Sequence, residues 1–346
     1  MIDVRIRPAP RLSVVIPTYN RCGLLAVALA ALGRQTEPAD QFEVIVVVDG
    51  STDETRQMLS RVEVPYRLRV LVQPNRGAGS ARNTGLAEAG GDYCVFLDDD
   101  IVAGPGLVRA HLRLQGERPG VVGLGPVVTT PLRTTHGFVG HSAREWTRRA
   151  GHNPRPTFLD CWGANLSVPR AALTAVGGFA ADLRYGEDVE LGYRLHNHGF
   201  SFAWVREAQA SQLYDKDFRG LALDSEHKGA AAVELTRRHA AFRAVLPIGA
   251  FNRSRRLAWL RRVTLPLRPA IGLLRILDRL IDHLPETGRW YGYRLLDDHL
   301  YWRGVRRAVE SREAWHGLTR RVAGGARARA APPMSRPRPS TSTPAS

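Results

Sequence analysis

Three consecutive acidic residues are the strongest candidates for chemistry in this chain. Asp98, Asp99 and Asp100 directly follow the apolar segment 93–97, whose composition predicts a buried β-strand. Adjacent carboxylates repel one another unless a cation holds them, and a hard divalent ion bridged to phosphate oxygens is a common solution. A solvated strand end is the alternative, although a single acid would be enough there. The triplet therefore indicates a site for a divalent cation and a phosphorylated ligand.

Three other segments could contribute to the same site. Asp49 closes another apolar run, and it could accept hydrogen bonds from a base or a ribose, or simply belong to a helix-capping turn. The glycine-rich segment 75–83 does not fit a dinucleotide fingerprint, since Arg82 stands where a small residue should be. It indicates either a loop that approaches a nucleotide or an ordinary helix start. Glu187 and Asp188 begin a helical pattern, where acids often only complement the helix dipole.

The elements that would position these residues alternate between strand and helix in the first hundred residues. The predicted strands are 12–17, 42–48, 68–72 and 93–97, and the predicted helices are roughly 24–33, 52–61 and 80–90. Such alternation predicts an α/β fold with a mostly parallel, doubly wound sheet. Ligands bind at the carboxyl ends of the strands in such sheets, so the polar segments should converge on one edge. Ser51 or Thr52 is predicted to cap the second helix.

The rest of the chain is less regular. Residues 120–225 are rich in glycine, proline and aromatic residues, and an arginine-rich region with apolar residues at helical spacing follows at about 230. Helices are predicted at 270–284 and 291–307. From residue 324 onward the composition is dominated by Ala, Arg, Pro, Ser and Thr, which predicts a disordered tail.

Composition narrows the classes of protein. The chain has 346 residues and a formal net charge of +16, which indicates either solvated surface or attraction to an anionic lipid or substrate. Nucleic-acid binding is disfavoured because no recognised binding motif is present. The three cysteines fit no metal or disulfide spacing, as in a reducing compartment. There is no signal-peptide core and no apolar run long enough to span a bilayer, so a cytoplasmic location is expected.

The order of the motifs resembles a known family. The series SVVIPTYNR, VVVDGSTDET, NRGAGSARNTG, VFLDDD, CWGAN, GGF and GEDVELGYRL is similar to that of the inverting family 2 glycosyltransferases of the GT-A fold, of the type that builds bacterial cell-surface glycans. The resemblance covers about residues 12–195. It implies a GT-A catalytic domain over 1–225, with a nucleotide-sugar half at about 10–105 and an acceptor half at about 106–225. A helical region, 226–323, and a disordered tail, 324–346, would follow.

The resemblance also implies roles for individual residues. The nucleotide pocket would be lined by Pro17, Thr18, Tyr19 and Arg21, with Asp49 on the base, usually uracil, and with Asn75 and Arg82 holding base, ribose and diphosphate. Asp98 and Asp99 would contact the ribose or sugar of the donor, and Gly163, Ala164 and Asn165 would flank that sugar. Asp188 would be the catalytic base, with Glu187 beside it. A divalent cation, Mg²⁺ or Mn²⁺, would be held by Asp100, Asp98 and His227, although a surface histidine is an equal alternative at His227.

The implied reaction is transfer of a sugar from a nucleotide-sugar donor, most often a UDP-sugar, to a hydroxyl group with inversion. The acceptor stays open among a glycan, a lipid-linked molecule and a small molecule. Two other functions remain as alternatives. Asp98, Asp100 and Val102 fit the pattern of haloacid-dehalogenase-like phosphatases, and a non-catalytic nucleotide- or glycan-binding module is also conceivable. The C-terminal helices either contact an anionic membrane, at the inner face of the plasma membrane, or pack on the catalytic domain.

Overall fold

The computed structural model describes residues 9–150, 152–252, 254–267 and 269–319. The predicted disordered tail, 324–346, lies outside these residues. The strands are β1 Leu12–Thr18, β2 Phe42–Asp49, β3 Arg67–Gln73, β4 Tyr93–Leu97, β5 Ile101–Ala103, β6 Val121–Leu124, β7 Val127–Pro131, β8 Asn165–Pro169, β9 Ser201–Trp204 and β10 Ala210–Tyr214. The helices are α1 Cys22–Leu32, α2 Thr55–Leu59, α3 Ala78–Ala87, α4 Leu107–Glu117, α5 Gly137–Arg149, α6 Arg170–Ala175, α7 Glu187–Asn197, α8 Phe218–Arg238, α9 Phe242–Val245, α10 Arg255–Thr264, α11 Ile271–Asp282, α12 Glu286–Ala308 and α13 Arg312–Thr319.

A seven-stranded sheet forms the centre of the molecule. Its strand order is β3-β2-β1-β4-β8-β6-β9, and a smaller sheet has the order β5-β10-β7. In the large sheet only β8 runs antiparallel to both of its neighbours, β4 and β6, while the other neighbouring pairs are parallel. The predicted mostly parallel α/β sheet is confirmed. All eight residues of β2 are buried because helices cover both faces of the sheet, which explains the apolar run at 44–48.

The predicted cap of the second helix is wrong. Helix α2 is shorter than expected, and its N-cap position is Glu54, without a capping side chain. Ser51 and Thr52 instead contact Asn20 in the turn after β1. The backbone N–H of Asn20 donates to Ser51 Oγ at 3.0 Å, and the N–H of Thr52 donates to Asn20 Oδ1 at 2.7 Å. Asn20 has a positive φ of 53°, so the two strand ends are joined through a turn that asparagine tolerates well.

The C-terminal helices attach to the rest of the molecule through a very close contact. Helix α8 runs through the predicted boundary at 225/226 and packs along α12. A Cβ atom at Gly229 would lie 1.9 Å from the carbonyl oxygen of Tyr301, and one at Gly304 would lie 1.8 Å from that of Glu226. Only glycine allows the two backbones to approach this closely. Within the described residues, no helix combines the length and the apolar character needed to cross a membrane.

A buried histidine joins helix α4 to strand β8. His111 is fully buried, with Nε2 2.9 Å from Asn165 Oδ1 and Nδ1 2.8 Å from Ser167 Oγ. Asn165 Nδ2 donates to the carbonyl of Ala208, so its Oδ1 faces the histidine as an acceptor. The proton therefore belongs on Nε2, and Nδ1 accepts from Ser167. Burial lowers the pKa of His111 to about 4, so the ring is neutral in the folded protein at neutral pH.

This burial predicts a pH-dependent stability. The unfolded chain takes up a proton on His111 near its ordinary pKa of about 6.5, whereas the folded chain does so only near pH 4. The contribution of neutral His111 to the free energy of unfolding is therefore complete above about pH 6.5. It decreases by on the order of 3 kcal/mol as the pH falls toward 4. Urea unfolding of wild type and His111→Gln at pH 7.5 and pH 5 measures it. We expect a smaller change between these two pH values in the variant. The exposed His283→Gln serves as control, and an equal pH effect in all three proteins would contradict the prediction.

Candidate active site

Arg82 joins two segments that lie far apart in the sequence. It lies on α3 and is only 4% exposed. Its Nη2 donates to Asp98 Oδ1 at 2.7 Å and its Nη1 donates to Glu187 Oε1 at 2.6 Å. The charge of Asp188 also acts on this guanidinium. The end of β4 and the start of α7 therefore meet around one buried cation, as the predicted site requires.

The rest of the acidic triplet is held by residues after β1. Asp99 accepts from Thr18 Oγ1 at 2.8 Å and from Arg21 Nη1 at 3.1 Å, and the same guanidinium nitrogen donates to Asp100 Oδ2 at 2.8 Å. Burial raises the pKa of Asp99 to about 6. Burial also raises the pKa of Asp100, and the neighbouring charge of Asp98 adds to the rise. The triplet is thus a crowded group of carboxyl groups that favours additional positive charge.

The two acids at the start of α7 differ in their surroundings. Glu187 is buried against Arg82, while Asp188 is partly accessible. Asp188 Oδ2 accepts from the backbone N–H of Gly163 at 3.0 Å, and Oδ1 accepts from the N–H of Val189 at 2.7 Å. Desolvation raises the pKa of Asp188, and the charge of Asp98 also acts in that direction. A carboxylate that is fixed by backbone donors and has a raised proton affinity suits the role of a general base.

Gly163 is needed where Arg82 passes. A Cβ atom at this position would lie 2.6 Å from Arg82 Nη2, so any other residue would push the guanidinium away from Asp98. The neighbouring Ala164 is partly buried. Asn165 is 3% exposed and uses its side chain on His111 and on the carbonyl of Ala208. All three residues were predicted to flank a donor sugar. The side chain of Asn165 instead forms hydrogen bonds within the protein, beneath the surface of the site.

The residues predicted for the nucleotide pocket lie around the carboxyl ends of β1 to β3. Pro17 and Thr18 are buried in β1, while Tyr19, 48% exposed, and Asn75 are accessible. Asp49 is buried and accepts from Gln73 Nε2 at 2.7 Å and from the N–H groups of Arg76 and Gly77, both at 2.8 Å. Asp49 therefore fixes the loop at 75–77, and its predicted contact with a base remains a prediction.

Comparison with known proteins relates this sequence to a family of enzymes. The sequence profile named Glycosyl transferase family 2 matches residues 13–177, which include β1, Asp49, Arg82 and the acidic triplet. Residues 13–177 belong to glycosyl transferase family 2. The chain is also 35% identical over 252 residues to "Validoxylamine A glucosyltransferase" from Streptomyces hygroscopicus subsp. jinggangensis, which covers 63% of this chain and 60% of that protein.

Solved structures show the GT-A fold of this chain. A mannosyltransferase from Pyrobaculum calidifontis, in complex with GDP-Man and Mn²⁺, matches with a TM-score of 0.62 at 18% identity and covers 87% of each chain. Residues 1–349 of S. aureus TarS, in complex with UDP-GlcNAc, match with a TM-score of 0.54 at 20% identity, over 86% of this chain and 90% of that one. At this identity the likeness extends to the fold, which agrees with the fold class predicted from the sequence.

The three predicted metal ligands of the family 2 site do not form a cluster. Arg82 holds Asp98, Arg21 and Gln212 hold Asp100, and the exposed His227 stacks on Tyr185 with ring centroids 4.5 Å apart. Across the described part of the chain, no three His, Cys, Asp or Glu side chains are arranged to hold a metal ion. The predicted ligand set of Asp98, Asp100 and His227 therefore stays a prediction. The hard oxygens of the triplet still fit a cation that takes most of its ligands from a bound diphosphate.

Two polar residues in the family 2 site were not predicted by motif. Gln212 on β10 donates to both oxygens of Asp100 at 3.3 Å. Tyr214, two residues on, is buried without a hydrogen-bond partner for its hydroxyl; burial raises its pKa, and the charges of Asp224 and Asp100 contribute. Both residues belong to the small second sheet, which was not predicted from the sequence. Antiparallel pairing of β10 with β5, directly after the triplet, brings them to the site.

The passage of Arg82 beside Gly163 predicts a stability effect. Gly163→Ala should destabilise the protein by about 1–3 kcal/mol, because the added methyl group overlaps a buried guanidinium that cannot leave its two carboxylates. Gly116→Ala, on the exposed side of α4 with open space around it, is the matched control. It should be neutral or stabilising by up to about 1 kcal/mol. Urea unfolding of both variants measures the difference, and equal behaviour would contradict the close approach at position 163.

Proposed function

We propose that the chain transfers a sugar from a nucleotide-diphosphate sugar to an acceptor hydroxyl with inversion. The proposed donor is a UDP-sugar. The observation that carries the proposal is the contact of Arg82 with both Asp98 and Glu187. It supports the proposal because the triplet, whose carboxylates suit a cation bound to a diphosphate, then lies close enough for the charge of Asp98 to act on Asp188, the acid that suits proton abstraction. The family supports the class of reaction. The chain spans only 60% of the length of the validoxylamine A glucosyltransferase that it matches, so the activity of the whole protein is part of this proposal.

The proposed base is Asp188. An alcohol is a weak nucleophile at neutral pH, so a carboxylate must accept its proton as the new C–O bond forms. The two backbone N–H groups that bind Asp188 fix its orientation, and the raised pKa increases its affinity for that proton. Attack from the face opposite the leaving diphosphate inverts the anomeric carbon in one displacement through an oxocarbenium-like transition state. Glu187 keeps Arg82 in place beside the base.

A divalent cation, Mg²⁺ or Mn²⁺, completes the proposed donor site. The triplet together with Glu187 and Asp188 supplies five carboxyl groups, against two guanidinium groups from Arg21 and Arg82. A diphosphate entering such surroundings adds further negative charge, so its binding calls for more positive charge. Asp100 and Asp98 are the residues that would hold the cation together with phosphate oxygens. When bound, the cation supplies Lewis-acid stabilisation of the leaving diphosphate.

The substrates are proposed from chemistry and from similar proteins. Solved neighbours contain UDP-GlcNAc or GDP-Man, and we propose a pocket formed by Pro17, Thr18, Tyr19, Asp49 and Asn75 for the nucleotide, with Ala164 near the sugar. The name of the 35% identical relative mentions validoxylamine A. Among a glycan, a lipid-linked molecule and a small molecule, this name favours a small hydroxylated acceptor, while a role in surface glycan synthesis is the alternative. A cytoplasmic site of action, at the inner face of the plasma membrane, belongs to the proposal as well.

The two alternative functions lack support. A phosphatase of the haloacid-dehalogenase type needs its first aspartate free to attack phosphorus, whereas Asp98 is ion-paired with Arg82 at 2.7 Å. A module that only binds ligands would not need Asp188 oriented by two backbone donors. Family 2 membership favours the transferase over both.

Thermal unfolding with a panel of nucleotide sugars tests the proposed donor. We expect UDP-sugars with Mn²⁺ to raise Tm more than GDP-sugars do, because a ligand that binds only the folded state stabilises it by mass action. A donor present at about a hundred times its Kd adds roughly 2.7 kcal/mol. The same panel without a metal ion is the control, in which the shift should shrink. A panel in which no nucleotide sugar shifts Tm would contradict the proposal.

Substitution of the proposed base separates binding from chemistry. Asp188→Asn should lower kcat by about 10²–10⁴-fold, because the amide cannot accept the proton, while the donor-induced Tm shift stays close to wild type. Release of nucleoside diphosphate, with an acceptor or by slow donor hydrolysis, gives the rate. Asp182→Asn changes an acid of the same segment that is exposed and pairs with Arg238, and it should leave the rate unchanged. Full activity of Asp188→Asn would remove the assigned base.

A further inference from the structure

Helix α11 attaches to the protein through its acidic side. Asp278 Oδ1 accepts from the backbone N–H of Phe138 at 2.7 Å, and Asp282 Oδ1 accepts from the N–H of Gly137 at 3.3 Å and from the hydroxyl of Tyr293 at 3.1 Å. Both carboxylates thus satisfy the free N–H groups at the start of α5, where negative charge is favourable. Leu274 and Ile281 on the same side are 3% and 5% exposed. The inward side of α11 is therefore fixed by both packing and hydrogen bonds.

The outward side of α11 is apolar. We name Leu273, Ile276, Leu277 and Leu280 the α11 stripe; they are 59%, 55%, 42% and 61% exposed. Their spacing of three and four residues places them in one row along the helix. A surface helix normally turns such a row toward the core and its acids toward water. Helix α11 does the opposite, and a continuous exposed apolar row of this kind usually marks an interaction surface.

Positive charge accompanies the stripe. Arg279 is exposed and lies by helical periodicity next to Ile276, at one border of the stripe. Arg275 is also exposed but lies further round the helix and pairs with Asp217 at 3.4 Å. The preceding helix α10 adds exposed Arg255, Arg256 and Arg262. It also exposes Trp259 to 65%. The sequence between Phe251 and Arg275 contains no acidic residue. Apolar side chains accompanied by arginine, with an exposed tryptophan on the preceding helix, form the pattern of a segment that lies in a membrane interface.

We propose that the α11 stripe binds the surface of an anionic lipid bilayer, with α11 lying parallel to that surface. The helix has 12 residues and is therefore about 18 Å long, which suits a helix lying on a membrane and not one that crosses it. The apolar side chains of the stripe enter the interface, and Arg279 together with the exposed arginines of α10 binds lipid phosphate groups. This inference concerns a surface outside the candidate active site and does not depend on the proposed transferase activity.

Charge favours lipid over a second copy of the chain as the occupant. The chain carries a formal net charge of +16, so two copies that met through α11 would bring arginine-bordered surfaces of the same sign together. Such juxtaposition opposes association. An anionic bilayer offers both an apolar interior for the stripe and negative charge for its border, so it fits the two features at once.

Co-sedimentation of the full chain with vesicles tests the proposal. Wild type should bind vesicles that contain phosphatidylglycerol, should bind phosphatidylcholine vesicles much more weakly, and should be released by added NaCl. The triple variant Leu273→Asn, Ile276→Asn, Leu280→Asn should lose at least about tenfold in binding, since three large apolar side chains no longer leave water. Val128→Asn with Leu132→Asn is the matched control, because these residues are 50% and 49% exposed elsewhere; it should bind as wild type does.

Three further measurements separate the possible outcomes. Thermal unfolding checks that the triple variant is folded, as expected for residues that already face water. Sedimentation velocity without lipid identifies the competing occupant: a dimer that the triple variant dissociates, together with no vesicle binding, would overturn the proposal in favour of a second copy. Equal vesicle binding of wild type and the triple variant would also overturn it. Nucleotide-sugar Tm shifts, measured on the same proteins, show whether the donor site is intact independently of either result.

Discussion

The ion pairs of Arg82 are the interaction on which the candidate site depends. A buried guanidinium requires carboxylate partners, and here they come from the end of β4 and the start of α7. Removal of either partner leaves a charge without compensation in the interior, which is far more costly than loss of a surface ion pair. The arginine therefore couples the folding of the first half of the chain to the position of α7. It also explains why Gly163 must be small and why Asp188 lies where the triplet's charge reaches it.

The same crowding of acids gives the site its electrostatic character. Burial raises the pKa values of Asp99, Asp100, Glu187 and Asp188. Arg21 and Arg82 neutralise part of this charge without removing the excess. A site with this excess of carboxyl groups has a high affinity for cations and for protons. Both properties suit the transfer of a sugar from a diphosphate donor to an alcohol: a cation stabilises the leaving group, and a carboxylate accepts the proton of the nucleophile.

Much of the central sheet could be predicted from the sequence, while the side-chain contacts within the candidate site could not. Strand β2 has an unbroken apolar run and β4 ends in three acids, so burial and the strand-end rule place Asp49 and the triplet at one edge. The bond from Arg82 to Glu187 spans residues with no common periodicity, and no local signal indicates it. Gln212 was missed because β10 is a short strand of a separate sheet. Helix α11 shows a further limit, since an amphipathic pattern reveals two faces but does not tell which one will face solvent.

The glycine contact between α8 and α12 has a mechanical consequence. At Gly229 and Gly304 the two helices meet backbone against backbone, so no side chain separates them at these two points. Helix α8 also carries His227, which stacks on Tyr185, the residue just before Gly186 and Glu187. Helix α12 in turn packs against α11. A continuous series of contacts therefore runs from the exposed apolar row of α11, through α12 and α8, to the segment that precedes Glu187. The position of α11 and the start of α7 are linked through this packing.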